Sequence, residues 1–168
     1  MTHGLSDDEA RIKVRELIEQ IRVVMLVTTD AEGGLDARPM SVLEVDGDTV
    51  RFFTDVNSPK TMAIGQDHQV LLACANPSGQ DYVSVRGKAR VTQDVEKQKA
   101  LWTEMARLWF PDGAASPNLA LVSVEMTGAE YWDGPNSLVR FAYGYAKAMV
   151  TKTPPVLGEN AKVRFGVG

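Results

Sequence analysis

The alternation of apolar and polar positions along the chain lays out most of its elements. Ser6 followed by Glu9 is a capping-box pattern, with Asp7 and Asp8 in the first turn. Ile12, Leu17, Ile18 and Ile21 then recur at helical spacing, which predicts an amphipathic helix over about residues 7–22. Val23 to Thr29 (VVMLVTT) is apolar and β-branched, as a buried strand is, and Asp30-Ala31-Glu32-Gly33-Gly34 is turn chemistry. Ala37 to Val45 (ARPMSVLEV) and Thr49 to Thr54 flank Asp46-Gly47-Asp48 and predict a β-hairpin. Ser58-Pro59-Lys60 opens a short helix that runs to about Gly65, with Ser58 at the N-cap and Pro59 at the first helical position. Gln69 to Ala75 is a strand, and Asn76-Pro77-Ser78-Gly79 a turn. Asp81 to Thr92 (DYVSVRGKARVT) alternates strongly, with Gly87 inside it as a bulge. Val95 to Leu108 has the helical period, Pro111 to Pro117 is a loop, and Leu119 to Met126 and Ala129 to Asp133 are strands. Leu138 to Val150 fits either a helix or more strand, and the tail from about Thr151 to Gly168 is loop-like.

These elements amount to about six or seven mostly antiparallel strands joined by short turns, with two or three helices between them. That is a mainly β, α+β arrangement and argues for a closed or split β-barrel with flanking helices, not a doubly wound parallel sheet. No linker or repeat divides the 168 residues, so a single domain over residues 1–168 is expected. A chain of this length buries roughly 70% of the surface its unfolded form exposes, enough for a core without covalent staples.

Charge and composition narrow the partners. The formal net charge is −4 and no basic run exists, which argues against nucleic acid as a partner. A small anion needs only two or three local cations and stays open. No stretch approaches the ~18 apolar residues of a membrane span. The start of the chain has no apolar signal segment, so a cytoplasmic protein is expected. The single cysteine, Cys74 in VLLACA, reads as a small buried hydrophobe rather than a nucleophile.

Several chemistries have no signature. His3 and His68 lack ligand partners at metal spacing. No Ser-His-Asp or Cys-His pattern, no GxGxxG and no GxxxxGK[ST] is present. What stands out is a set of polar residues at strand ends. Arg38 precedes the hairpin turn, next to Pro39, and Thr54 follows it. Arg38 lies nine residues before Gly47 and Thr54 seven after, at one end of the expected ladder. Ser58 and Lys60 follow at the helix start in RFFTDVNSPK. A guanidinium, two hydroxyls, an ammonium and helix N–H groups together suit a phosphate. Ordinary capping and solvated charges explain the same residues, and both readings stand at this point. YWDGPNS, Tyr131 to Ser137, offers Trp132 as a flank for a planar ring, against the plainer reading of a core edge.

Taken in order, ARPMSV, RFFTDVNSPK, YVSVRGKARV, YWDGPNS and AYGYAKAMVTKTPPVLGENAKV resemble the pyridoxamine 5′-phosphate oxidase-like flavoproteins, and most closely their bacterial general stress protein branch. The resemblance runs from about Val14 to Lys162. It implies an FMN-binding split β-barrel, with FAD as the alternative flavin, usually a homodimer with two flavin sites at the interface. Carried over by motif, Arg38 and Lys60 would hold the phosphate, with Thr54 and Ser58 as hydroxyl donors. Pro39, Met40 and Ser41 would present backbone to the isoalloxazine and Phe53 would flank it. Tyr82 stands where the oxidases often place a glutamine near the flavin, and Trp132 and Arg140 would come from the other subunit. The family's oxidases carry Arg-x-His after the tryptophan-glycine turn and a longer N-terminal arm. Here the region is GPNSLVRF, without histidine, which argues against vitamin B6 oxidation but not against flavin binding.

The implied functions are a flavin-dependent oxidoreductase acting on an unidentified small molecule, or a non-catalytic flavin carrier or sensor. A binder of deazaflavin or haem on the same barrel is a third. The Arg38–Lys60 pair favours FMN over haem and does not exclude the deazaflavin.

Overall fold

A computed structural model describes residues 6–134, 145–146, 149–150 and 159–165. Helix α1 (Asp7–Ile21) starts on the expected capping box. The Glu9 amide donates to Ser6 Oγ at 3.3 Å, and the Ser6 amide donates back to Glu9 Oε2 at 2.8 Å. It ends at Arg22, whose left-handed φ of 62° lets its amide close on the Ile18 carbonyl. Ala10, Val14, Leu17 and Ile18 form its buried stripe.

Strand β1 (Val23–Thr29) pairs on one side with β2 (Leu35–Ser41) and on the other with β5 (Gln69–Asn76). Strand β3 (Glu44–Asp46) pairs with β4 (Thr49–Asp55), and helix α2 (Pro59–Gln66) follows. Strand β6 (Asp81–Thr92) lies between β5 and β7 (Leu119–Asp133). The first half of β7 also pairs with β4 and its second half with β8 (Glu159–Arg164). Every pairing is antiparallel, in the order β2-β1-β5-β6-β7-β4-β3.

The two ends of this sheet are one piece of chain. At the bend between β2 and β3 the Val42 amide donates to the Arg22 carbonyl at 2.7 Å, and the next amide, Leu43, donates to the Arg51 carbonyl at 2.9 Å. One strand therefore hands over from β1 to β4 and curls the sheet into a split barrel. Val24, Leu26, Val50, Phe52, Leu72, Val85, Val122 and Tyr131 fill the interior, joined by Val14 and Ile18 of α1 and Ile64 of α2.

The expected split barrel with flanking helices is present, with local differences. Ala37 to Val45 is not one strand, so the hairpin is only the short β3–β4 pair, and β2 belongs to β1. The 95–108 helix breaks into α3 (Val95–Ala100) and a 3-10 turn (Glu104–Leu108), because Thr103 is extended where Trp102 turns its ring onto Phe53. Leu119 to Met126 and Ala129 to Asp133 form one strand with a bulge between them. Gly87 pairs with Met126 and Arg86 with Gly128, so the extra residue is Thr127 on β7, not Gly87 on β6. Gly87 is instead a close approach, since a Cβ there would lie 2.6 Å from Val124 Cγ1 and 2.7 Å from the Glu125 carbonyl oxygen. Part of the supposedly loop-like tail is β8, whose alternation brings Val163 inward opposite Ala129. Leu138 to Phe141 and the adjoining residues lie outside the described set, and no helix among the described residues is long and apolar enough to cross a membrane.

A cation and hydroxyl cluster at one end of the barrel

The interior of the barrel is apolar until its inward positions reach one end. Along β1 the inward residues are Val24, Leu26 and then Thr28, and along β4 they are Val50, Phe52 and then Thr54. Both threonines are buried. A buried hydroxyl without a partner is costly, so what they bond to is informative. Thr28 Oγ1 accepts from Arg38 Nη1 at 2.6 Å, and the same nitrogen donates to the Leu26 carbonyl at 3.2 Å. Arg38 thus reaches inward from β2 across the ladder to β1. Thr54 Oγ1 lies 3.3 Å from the Asp55 carbonyl and 3.4 Å from Ser58 Oγ.

Helix α2 completes the cluster. Ser58 occupies its N-cap, but the hydroxyl does not cap the helix; it lies 2.9 Å from Thr61 Oγ1, which donates to the Asp55 carbonyl at 2.8 Å. Lys60 sits in the first turn, half-buried. Its proton affinity is lowered, first by burial and next by the charge of Arg38, with Asp55 opposing. The two cations are therefore close enough to repel. Thr54 and Ser58 meet here, and Lys60 stands in the same turn and feels the charge of Arg38, though not through the hairpin register the sequence suggested. Thr28 and Thr61 are additional members. A polar residue ending the inward series Val24-Leu26-Thr28, and a hydroxyl three residues after Ser58, were the signals available for them.

The other expected residues are arranged around this end. Met40 is buried, while Pro39 and Ser41 are exposed on the outer face of β2. Among the described strands β2 has a ladder on its β1 edge only, and β4 loses its β3 partner beyond Arg51. The backbone edges of Pro39–Ser41 and Phe52–Asp55 are thereby left without strands at the split. Phe53 points to the face opposite Thr54, against Trp102 at 5.9 Å and Phe110 at 6.2 Å between ring centroids. Tyr82 and Trp132 are directly opposite one another on β6 and β7, and each is 41% exposed on the outer face. Three strands separate β2 from β7, which at the usual spacing puts Trp132 about 19 Å around the sheet from β2. Across the ladders Trp132, Tyr82 and Ala75 line up near the Val24 end of β1, away from Thr28 at its other end. Arg140 lies outside the described residues.

Two further groups border the region. Asp81 is buried at the start of β6, accepting from Asn76 Nδ2 at 3.1 Å and from the Gly134 amide at 3.3 Å. Burial, and then its hydrogen bond and charge contact with Asp133, raise its pKa. Asp133 is itself paired with Lys13 Nζ of α1 at 2.6 Å. Cys74 is buried and its thiol is pushed up to about 12, so it is no thiolate nucleophile at neutral pH. No group of metal-ligating side chains occurs among the described residues.

Comparison with known proteins identifies relatives of this fold. The family model described as pyridoxamine 5′-phosphate oxidase like matches residues 9–155. General stress protein 26 of Bacillus subtilis is 27% identical over 124 residues, covering 72% of this chain and 86% of that protein. The solved structure of a candidate general stress protein 26 from Jannaschia sp. CCS1 superposes with a TM-score of 0.80 at 22% identity, over 94% of this chain and 99% of the other. A general stress FMN/FAD binding protein from Xanthomonas citri superposes with a TM-score of 0.64 at 27% identity, over 77% and 91% of the two chains.

Proposed function

The chain belongs to the pyridoxamine 5′-phosphate oxidase like family, and on that premise we propose that it binds FMN through its phosphate and works as an FMN-dependent oxidoreductase of the general stress protein type. The observation that carries this reading is the cluster itself: Arg38 held inward on Thr28 and the Leu26 carbonyl, and Lys60 in the first turn of α2 beside the Thr54, Ser58 and Thr61 hydroxyls. Two cations held together by a fold, beside the Thr54–Ser58–Thr61 hydroxyls, make a site that an anion relieves. The strandless edges of β2 and β4 next to it give backbone groups to which the polar edge of a flavin ring can hydrogen-bond. Bound flavin would supply the redox chemistry; Arg38 and Lys60 would fix the phosphate, and Pro39 to Ser41 would orient the ring.

The outer sheet face supports a homodimer. Val23 and Met25 of β1, Ala73 and Ala75 of β5, and Tyr82 and Trp132 are exposed there together. An apolar face of this kind on one chain suits a second copy. Trp132 stands near the Val24 end of the ladder, away from Thr28, and its placement is read as reaching the flavin of a partner copy. A non-catalytic flavin carrier is the second reading, favoured by the missing histidine in GPNSLVRF. The deciding experiment is the absorption spectrum of the purified protein, with release of any bound flavin and titration with FMN and riboflavin. A colourless protein that FMN neither stabilises nor quenches ends the flavin reading. Turnover with pyridoxamine 5′-phosphate is expected to be absent in either case.

A further inference from the structure

The hydroxyls beside Lys60 form a chain whose direction is fixed at one end. Thr61 Oγ1 lies 2.8 Å from the Asp55 carbonyl oxygen, which can only accept, so the single Thr61 proton is used there. The 2.9 Å contact between Ser58 and Thr61 therefore has Ser58 as donor and Thr61 as acceptor. Ser58 Oγ is left as an acceptor toward Thr54 Oγ1 at 3.4 Å, and the other oxygen within reach of the Thr54 proton is the Asp55 carbonyl at 3.3 Å. All three protons thus turn inward along the chain to Asp55. An anion approaching Lys60 meets a Ser58 oxygen whose proton is already given to Thr61. To donate to a phosphate, Ser58 has to break that bond first.

We infer that Thr61 is a positioning residue that restrains phosphate binding by holding the Ser58 proton away from the ligand, and is not itself a phosphate ligand. This rests on the phosphate reading above. Replacing Thr61 by valine keeps its shape and removes the acceptor. The Asp55 carbonyl keeps the Ser58 amide, 3.2 Å away, as a donor. The Ser58 hydroxyl is then free to turn to the anion, and the gain is the one neutral hydrogen bond no longer broken on binding, about fivefold in affinity.

The test is the dissociation constant for FMN and for riboflavin across a small set of variants. Thr61→Val is expected to tighten FMN about fivefold and to leave riboflavin unchanged. Thr61→Ala should do the same, so the result does not hang on how well one variant folds. Thr61→Ser, which retains the hydroxyl, should match the parent protein. In a Ser58→Ala background, where FMN is weakened, Thr61→Val should have no further effect. FMN binding to the parent with Thr61→Val unchanged or weaker overturns this inference alone, and so does a gain that persists without Ser58. Failure of the parent to bind FMN overturns the phosphate reading and the inference with it.

Discussion

Arg38 is tied to Thr28: its Nη1 donates to the buried Thr28 Oγ1 at 2.6 Å, across the β1–β2 ladder. A guanidinium so held cannot swing into solvent, and the cluster keeps its charge at the end of the barrel. Thr28→Val preserves shape and removes the acceptor. It should cost about 1.5–3 kcal/mol of stability, the range for a hydrogen bond to a charged group. It should also weaken FMN more than riboflavin. An unchanged urea midpoint, or equal losses for both ligands, would show that Arg38 does not depend on Thr28.

Lys60 gives a pH dependence whose sign is set. Its proton affinity is depressed, so it loses charge below the ordinary lysine value near 10.4. An anion held by Lys60 should therefore bind less well as pH rises through the alkaline range. Lys60→Arg should abolish that decline, since arginine stays charged. FMN dissociation constants from neutral to alkaline pH, with riboflavin as the flat control, measure it. A parallel decline in Lys60→Arg removes Lys60 as its cause.

Asp81 predicts a stabilising substitution. Its pKa is raised in the folded protein, so the folded form binds a proton more tightly than the unfolded chain. Its contribution is then greatest below the ordinary aspartate value near 3.9 and falls as pH rises through that value toward the raised one. Asp81→Asn removes the charge: its oxygen can accept from the Gly134 amide and its NH2 can donate toward Asp133, provided the Asn76 Nδ2 that now donates to Asp81 turns aside. At neutral pH it should be more stable than the parent, with the advantage vanishing in acid. Urea midpoints of both proteins from pH 4 to 8 decide it; a neutral-pH loss counts against proton sharing between Asp81 and Asp133.

The outer sheet face predicts an assembly. Met25 sits at its centre, opposite Pro39 on β2 and Ala73 on β5. Met25→Arg puts a charge where a second copy would close and touches neither the interior nor the cation cluster. Light scattering should show the dimer of the parent reduced to monomers, with FMN weakened in step. A dimer that survives the arginine places the interface elsewhere.

How far these features could be read from sequence depends on the range of the interactions behind them. Capping at Ser6, the existence of β1 and the Ser58-Pro59 helix start are decided by neighbours in the chain and agree with the sequence; the expectation that β1 is buried does not hold on its outer side, where Val23 and Met25 are exposed. The Ala37–Val45 segment does not agree, because nothing local says that Val42 and Leu43 bond to different strands. Arg38 and Lys60 were paired for a mistaken reason: the inferred hairpin does not join them, but the curl of the sheet does. The orientation of Phe53 is set against Trp102 and Phe110, about fifty residues away, and no local pattern announces those contacts. Thr61 is marked in the sequence only as a hydroxyl three residues after Ser58, and its part in the cluster is not legible until its oxygen partners are known.

The bulge at Thr127 bears on all of this through simple parity. Before it, β7 turns its even-numbered residues inward, Val122, Val124 and Met126; after it the odd-numbered ones, Ala129 and Tyr131. One residue in the middle of a strand thus decides that Tyr131 is core and Trp132 is surface. Deleting Thr127 with the pairing kept at both ends would leave both faces as they are, since Met126 and Gly128 already pair with consecutive residues of β6; drawing Thr127 into the ladder instead would shift the register by one and exchange Tyr131 with Trp132. A relative of equal length whose strand runs on without this bulge should therefore be compared face by face and not column by column, since the residue in Trp132's column then occupies Tyr131's place.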